Sequence, residues 1–363
     1  MILSCKQTII EKRYYKQIVI NNLNIKKMKK FLFLVAIAAI GFASCTDEKV
    51  DEKNSSNKIG FKTMVGKSTN FKVGELVTAD FDHFHLSAYR TSGGAMSYTS
   101  SLVPYINNIV VNKSGADWIY TGSYYWPNQD TLQFFAHNAD ATIDFPTTTI
   151  TGYPYFWTTI NSTPATQKDI VVAKGLNKAA LGTTPVALSF IHALCQVNFS
   201  LKGAEVGPDY VIKKIELIGA KDNGKFSFND TMKYCWSTQS GNATYVYFDG
   251  SKTIQNSFVS FGNGSRVASG GLTGYEALMI MPQNGDWIQI KVTYDLVNAG
   301  VTLYSNATAI VTLTGEHMDT GKKVRYNLTV PTPTGASTSK ITFTATVSDW
   351  ETEQTGGTGT LTK

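Results

Sequence analysis

His83 and His85, in the run Asp-His-Phe-His, are residues whose type and spacing could do chemistry. On an extended strand they share one face and can grip a metal ion, while Phe84, Leu86 and Ala88 share the other. No third ligand stands at a matching spacing, so a wet strand face is the expected reading. Val65-Gly66-Lys67-Ser68-Thr69 contains the Gly-Lys-Ser of a phosphate loop. That loop needs a glycine five residues before Gly66, where this chain has Phe61; Gly60 is one residue out, and an alternating strand precedes. His192, between Phe190 and Leu194, reads as a satisfied core histidine. The segment from Phe261 to Gly271 is glycine-rich but leads into no helical pattern. The G-x-S-x-G and H-E-x-x-H motifs do not occur. Asp and Glu are scattered, and sequence alone leaves a catalytic carboxylate pair open. The chain is read as a non-enzyme, with no cofactor and no metal.

Cysteine points to a different chemistry. Met28-Lys29-Lys30 is a short basic segment, followed by an apolar run from Phe31 to Ile40 and then Gly41-Phe42-Ala43-Ser44-Cys45. Ten apolar residues are too few for a membrane span, which needs about 20. Small residues ahead of a cysteine fit a cleavage region. Ile40 to Cys45 resembles a bacterial lipobox, in which the cysteine thiol takes a diacylglyceryl group before the chain is cut. Residues 28–44 are therefore read as a lipoprotein signal peptide with Cys45 as the lipidation site. Residues 1–27 read as upstream sequence from a misassigned start.

This division reverses the charge argument. The whole chain carries 33 basic and 27 acidic residues, a net +6. Residues 1–44 hold 8 of the basic residues and 1 of the acidic, so 25 and 26 remain from Cys45 onward, a net −1. No electrostatic case for a nucleic-acid partner survives. Beyond Cys45 only Cys195 and Cys235 remain. In "CQVNFSL", Cys195, Val197, Phe199 and Leu201 alternate with polar residues, which makes Cys195 a small inward-facing strand residue. A Cys195–Cys235 bridge stays open, since spacing cannot decide it.

The elements that must position these residues are strands. Runs such as "FDHFHLSAY", "DTLQFFAH", "VIKKIELIG", "WIQIKVTYDL" and "KVRYNLTV" alternate with period two. Gly, Asn, Asp, Ser and Thr clusters separate them. No sustained helical stripe follows Cys45, so the pattern predicts antiparallel sandwiches with short helices at most. The 319 residues from Cys45 suggest two domains. Residues 45–57 are polar and read as a flexible tether.

Five blocks then resemble one family, in order from residue 58 to residue 350. They are "WIYTGSYYWPNQDTLQFFAHNAD" from Trp118, "DIVVAKG" from Asp169, "VALSFIHALCQVNFSL" from Val186, "YEALMIMPQ" from Tyr275 and "ITFTATVSDW" from Ile341. Together they resemble the Bacteroidales fimbrillin family, the Mfa-like and FimA-like subunits of type V pili. In the first block, Trp118, Trp126, Phe134 and Phe135 are expected in the core.

The resemblance implies an all-β fold of two tandem transthyretin-like antiparallel β-sandwich domains behind a lipoprotein signal peptide. The N-terminal domain is expected at 58–182, the C-terminal domain at 183–350 and a tail at 351–363. The chain would be exported, become an outer-membrane lipoprotein and then join a surface fimbrium as a stalk or tip subunit serving adhesion. In the family a protease removes the first strand of the mature subunit, and a strand of another subunit takes its place. Here that strand is "KIGFKTMV", with Ile59, Phe61, Thr63 and Val65 on one face. Lys67 is the expected cut, with Lys72 in reserve, because the family's usual cut follows an arginine and the first arginine after Cys45 is Arg90. Expected partners are other pilus subunits by strand addition, the outer membrane through lipid before processing, and host or bacterial surface glycans or proteins. The alternatives are a glycan-binding surface lipoprotein and, further off, a carbohydrate-active enzyme. Asp130-Thr131-Leu132 and Asp230-Thr231-Met232 resemble an O-glycosylation signal of such bacteria, and Thr231 is the better placed.

Overall fold

Period-two alternation is realised as strands almost throughout. The computed structural model describes residues 57–65, 81–92, 95–139, 145–261, 277–334 and 339–349, all within one compact unit, Ser55–Lys363. The fold is all-β, and among the described residues helix is confined to 3-10 turns such as Pro164–Thr166. No described helix is long and apolar enough to cross a membrane.

The first nine strands are β1 (Phe61–Val65), β2 (His83–Thr91), β3 (Ser101–Ser114), β4 (Asp117–Tyr120), β5 (Thr131–His137), β6 (Ile150–Thr151), β7 (Tyr155–Thr159), β8 (Val171–Lys178) and β9 (Val186–His192). Eight of them form a sheet in the order β2-β5-β8-β9-β1-β4-β3-β6. Because β2 also pairs with β3, seven of those strands close into a ring. Closure removes the free edges that an open sheet must protect. Inside lies an apolar core that includes Phe61, Phe84, Leu86, Trp126, Phe134, Leu188 and Phe190. Trp126, Phe134 and Phe135 are buried as expected, whereas Trp118 is half-buried.

Gly182, near which the sequence places a domain boundary, has φ 59° and lies in the turn between β8 and β9. Both strands belong to the first sheet. The chain crosses to the second half at Ala193–Leu194, and both of these residues are fully buried. Three backbone groups of the junction are engaged: Ala193 N–H donates to Ile170 O, the Trp236 indole to Ala193 O and Gly321 N–H to Leu194 O. A connection this short and well bonded is no exposed linker.

The second half contains β10 (Cys195–Gly203), β11 (Asp209–Ala220), β12 (Asn223–Ser227), β13 (Trp236–Ser240), β14 (Ala243–Ile254), β15 (Val259–Ser260), β16 (Leu278–Ile280), β17 (Gln283–Asn284), β18 (Gln289–Asn298), β19 (Val301–Thr312), β20 (His317–Met318), β21 (Lys322–Val330), β22 (Ser339–Lys340) and β23 (Thr342–Asp349). One sheet runs β15-β10-β21-β23, with β16 also on β10, and the other runs β14-β11-β18-β19-β22. They bury one core between them, built from Val197, Phe199, Ile215, Leu217, Ile290, Val292, Tyr326 and their neighbours. Strand β10 runs parallel to β21, and β10 is covered on both faces: Gln196, Asn198 and Ser200 are as buried as the apolar residues between them.

A third apolar cluster joins the halves. Tyr89, Phe135 and Val172 from the outer face of the first sheet meet Phe156 of β7, Phe226 of β12, and Met279 and Met281. Strands β13, β12 and β7 form a small sheet over this cluster, where Phe156 and Phe226 stack at 5.0 Å. Gln167 ties it to β16: its amide accepts from Met279 N–H at 2.9 Å and donates to Met279 O at 3.0 Å. Gln283 closes a similar double bond with the backbone of Lys221. Amide side chains that copy a strand's bonding satisfy buried backbone groups where the ladder stops.

Candidate assembly site

β1 closes the ring between β9 and β4. It pairs with β9 in parallel, with Phe61 opposite Val186, Thr63 opposite Leu188 and Val65 opposite Phe190. Toward β4 it has a single register pair, Phe61 with Trp118. The residues just before the strand supply the remaining contacts. Ile59 N–H donates to Tyr124 O at 2.9 Å, the Tyr120 hydroxyl to Ile59 O at 2.7 Å, and Val186 N–H to Gly60 O at 2.8 Å. The Lys58 ammonium sits 5.2 Å from the centre of the Tyr120 ring.

Among the predicted residues of this strand, Ile59 and Phe61 are buried, Thr63 is half-buried and Lys62 between them is exposed. Phe61 meets Tyr120, Phe134 and Phe84 with ring centroids 5.7, 5.8 and 6.3 Å apart. Burying Ile59 and Phe61 contributes about 3–6 kcal/mol. Cys45, Lys67 and the reserve Lys72 lie outside the described residues, as do the signal peptide, most of the tether and the tail. The holding role of Tyr120 and Tyr124 was missed in the sequence, although aromatics stand at alternate positions from Trp118.

The other candidates separate clearly. His83 is exposed, its Nδ1 2.6 Å from Asp82 Oδ1. His85, predicted on a wet face, is buried and stacks on His137 at 5.3 Å, because the cluster joining the halves covers that side of β2 and β5. Among the described residues, no group of three or more His, Cys, Asp or Glu is placed to hold a metal ion. His192 is buried, with Nδ1 2.7 Å from Asp169 Oδ2, so two of the blocks read from sequence meet in this pair. Thr131 is half-buried, its Oγ1 2.8 Å from that of Thr91, whereas Thr231 is exposed in a turn.

Cys195 and Cys235 are both buried free thiols. Burial pushes the Cys235 thiol up to about 11 and the Cys195 thiol higher still. Since the thiolate is the reactive form, both should resist iodoacetamide at pH 8 in the folded chain and label fully in denaturant. Peptide mass spectrometry reads each site, and labelling of Cys195 in the native chain would contradict its packing.

The fold of one solved fimbrial protein agrees with this architecture. The crystal structure of a fimbrial protein from Bacteroides vulgatus is 19% identical, with TM-score 0.51 over 81% of this chain and 99% of that one. A candidate cell adhesion protein from Bacteroides ovatus is 14% identical, with TM-score 0.43 over 83% and 100%. A fimbrial assembly protein from Parabacteroides distasonis is 7% identical, with TM-score 0.39 over 79% and 95%. No curated protein matches the chain. The sequence model of the fimbrillin-like family matches residues 69–350, most of the chain. The chain belongs to the fimbrillin-like family.

Proposed function

We infer that this chain is a structural subunit of a surface pilus, assembled by exchange of its first strand. The observation that carries the reading is the place of β1: a short strand near the chain's start, inserted in parallel beside β9, whose presence closes the ring. Its loss would leave β9 and β4 as facing unpaired edges over a floor that includes Phe84, Phe134, Leu188 and Phe190. Natural sheets leave such an edge open only for a partner, and strand addition answers it with main-chain bonds and alternate side chains. Family membership and the fold of the Bacteroides vulgatus fimbrial protein support the reading.

In this scheme Cys45 carries lipid and holds the subunit at the outer membrane until a protease cuts after Lys67. The cut frees lipid, tether and β1 together, and the vacated slot takes a strand from the next subunit. The reading contains no catalytic step. A tip or accessory position fits this scheme as well as a stalk position.

The test replaces residues 66–70 by a site for a specific protease and cleaves the purified chain. Ladders on an unboiled gel indicate a stalk subunit, and dimers formed only with a second pilin indicate a tip. A stable monomer that has lost β1 and captures nothing refutes strand exchange.

A further inference from the structure

We propose that the cleft between the Tyr234 loop and the β17–β20 ribbon binds a neutral saccharide, one sugar ring lying against Tyr234. This site is separate from the β1 slot and does not depend on the assembly reading. The cleft has a volume of about 340 Å³, and its lining includes Tyr234, Trp236, His317, Met318, Asp319 and Thr320. That is the scale of small-molecule sites, which combine an apolar lining with a few placed polar groups.

Tyr234 is the first reason. Its side chain is 90% exposed, with no hydrogen bond or ring contact to any described residue. Yet its backbone is left-handed, at φ 53°, and Met232 two residues earlier is at φ 57°. Non-glycine residues adopt that region at a cost and persist there only where the surroundings enforce it. The surroundings do enforce it. Asn229 Oδ1 accepts from Thr231 N–H and Met232 N–H, and its Nδ2 donates to Lys233 O. Lys174 donates to the carbonyls of Asn229 and Asp230, and the Tyr153 hydroxyl donates to the Asp230 carboxylate. The fold thus pins the backbone of the loop that carries an exposed aromatic ring, and the ring stabilises nothing in the described fold.

The rest of the cleft suits a sugar. Trp236 spends its indole N–H on Ala193 O at 2.7 Å, so it lines the cleft as an apolar surface, and buried Met318 lies in the opposite wall. The side chains of His317, Asp319 and Thr320 form no hydrogen bond to a described residue. They offer an imidazole, a carboxylate acceptor and a hydroxyl that both gives and accepts. A sugar ring presents the complement: an apolar C–H face for an aromatic ring and hydroxyls at its edge. Charge is mixed around the cleft, with Lys233 and Lys322 against Asp319, so no sign dominates and a neutral ligand is favoured. A rigid loop also loses little freedom on binding.

The experiment screens the fluorescently labelled full chain on an array of neutral hexose, N-acetylhexosamine and uronic-acid oligosaccharides, then titrates the best neutral ligand. Tyr234→Ala and Asp319→Asn should each weaken binding about tenfold or more, the scale of a central contact, with the thermal midpoint unchanged. Tyr155→Ala, at an exposed tyrosine elsewhere, should leave the affinity as it was. Failure to bind any neutral glycan at millimolar concentration overturns the proposal. So does binding indifferent to Tyr234→Ala, or binding confined to uronic acids and abolished by salt. Cleavage after Lys67 bears only on the assembly reading.

Discussion

Replacing His192 with alanine should lower the unfolding free energy by about 3–5 kcal/mol, the scale for breaking a buried pair by removing one member. His192 and Asp169 are 2.7 Å apart, with side chains 1% and 0% exposed. The truncation takes the imidazole from a side chain fully shielded from solvent, so a buried polar group loses a bond that offset its desolvation. The pair also stands where β8 and β9 are in register, Val171 opposite His192, one residue before the chain leaves the first sheet. Urea unfolding followed by tryptophan fluorescence measures the loss. The double variant Asp169→Leu with His192→Leu should recover much of it, since replacing both members with apolar groups is far milder than removing one. A loss under 1 kcal/mol in the single variant would show that the pair contributes little.

Phe61→Ala should destabilise the intact chain by about 3–5 kcal/mol, the range for deleting a buried aromatic ring. The ring fills space against Phe84, Tyr120 and Phe134. Those neighbours sit on three other strands of a closed ring and have little room to collapse into the void. The damage should be local: hydrogen exchange of β1 and β9 amides should quicken more than that of β11 and β18 in the second half. If β1 is the exchanged strand, this variant should also shed it faster after proteolysis. Uniform loss of protection across both halves would mean that Phe61 matters to the whole fold and not to the seating of β1.

Strand content was legible because period-two alternation depends only on local order. "VALSFIHALCQVNFSL" shows both the power and the limit of that pattern. Val186, Leu188 and Phe190 face in at even positions, and Cys195, Val197, Phe199 and Leu201 at odd ones. The change of phase at Ala193–Leu194 is where the chain changes sheets, yet a continuous apolar block reads as one strand. Gln196, Asn198 and Ser200 are buried for a reason that pattern does not carry: alternation reports which residues are apolar, not whether a second layer covers the polar side. Ring closure lay beyond local pattern altogether, since parallel pairing joins Phe61 to Val186 across the length of the first sheet. His192 was read as a satisfied histidine, but its partner Asp169 became visible only once β8 and β9 lay side by side. The Tyr234 cleft gave no sequence signal, because the run from Met232 to Trp236 shows no strand or helix periodicity.

The short passage from β9 to β10 has a mechanical meaning. Only Ala193 and Leu194 separate the two strands, and both are locked in the core that joins the halves. A chain of domains on flexible tethers absorbs a pull by straightening its tethers first, at little cost. Here there is no slack at the crossing, so tension from one half to the other loads hydrogen bonds and packed side chains at once. The subunit would stretch as a solid, and any give in a filament made from it would have to come from the joints between subunits.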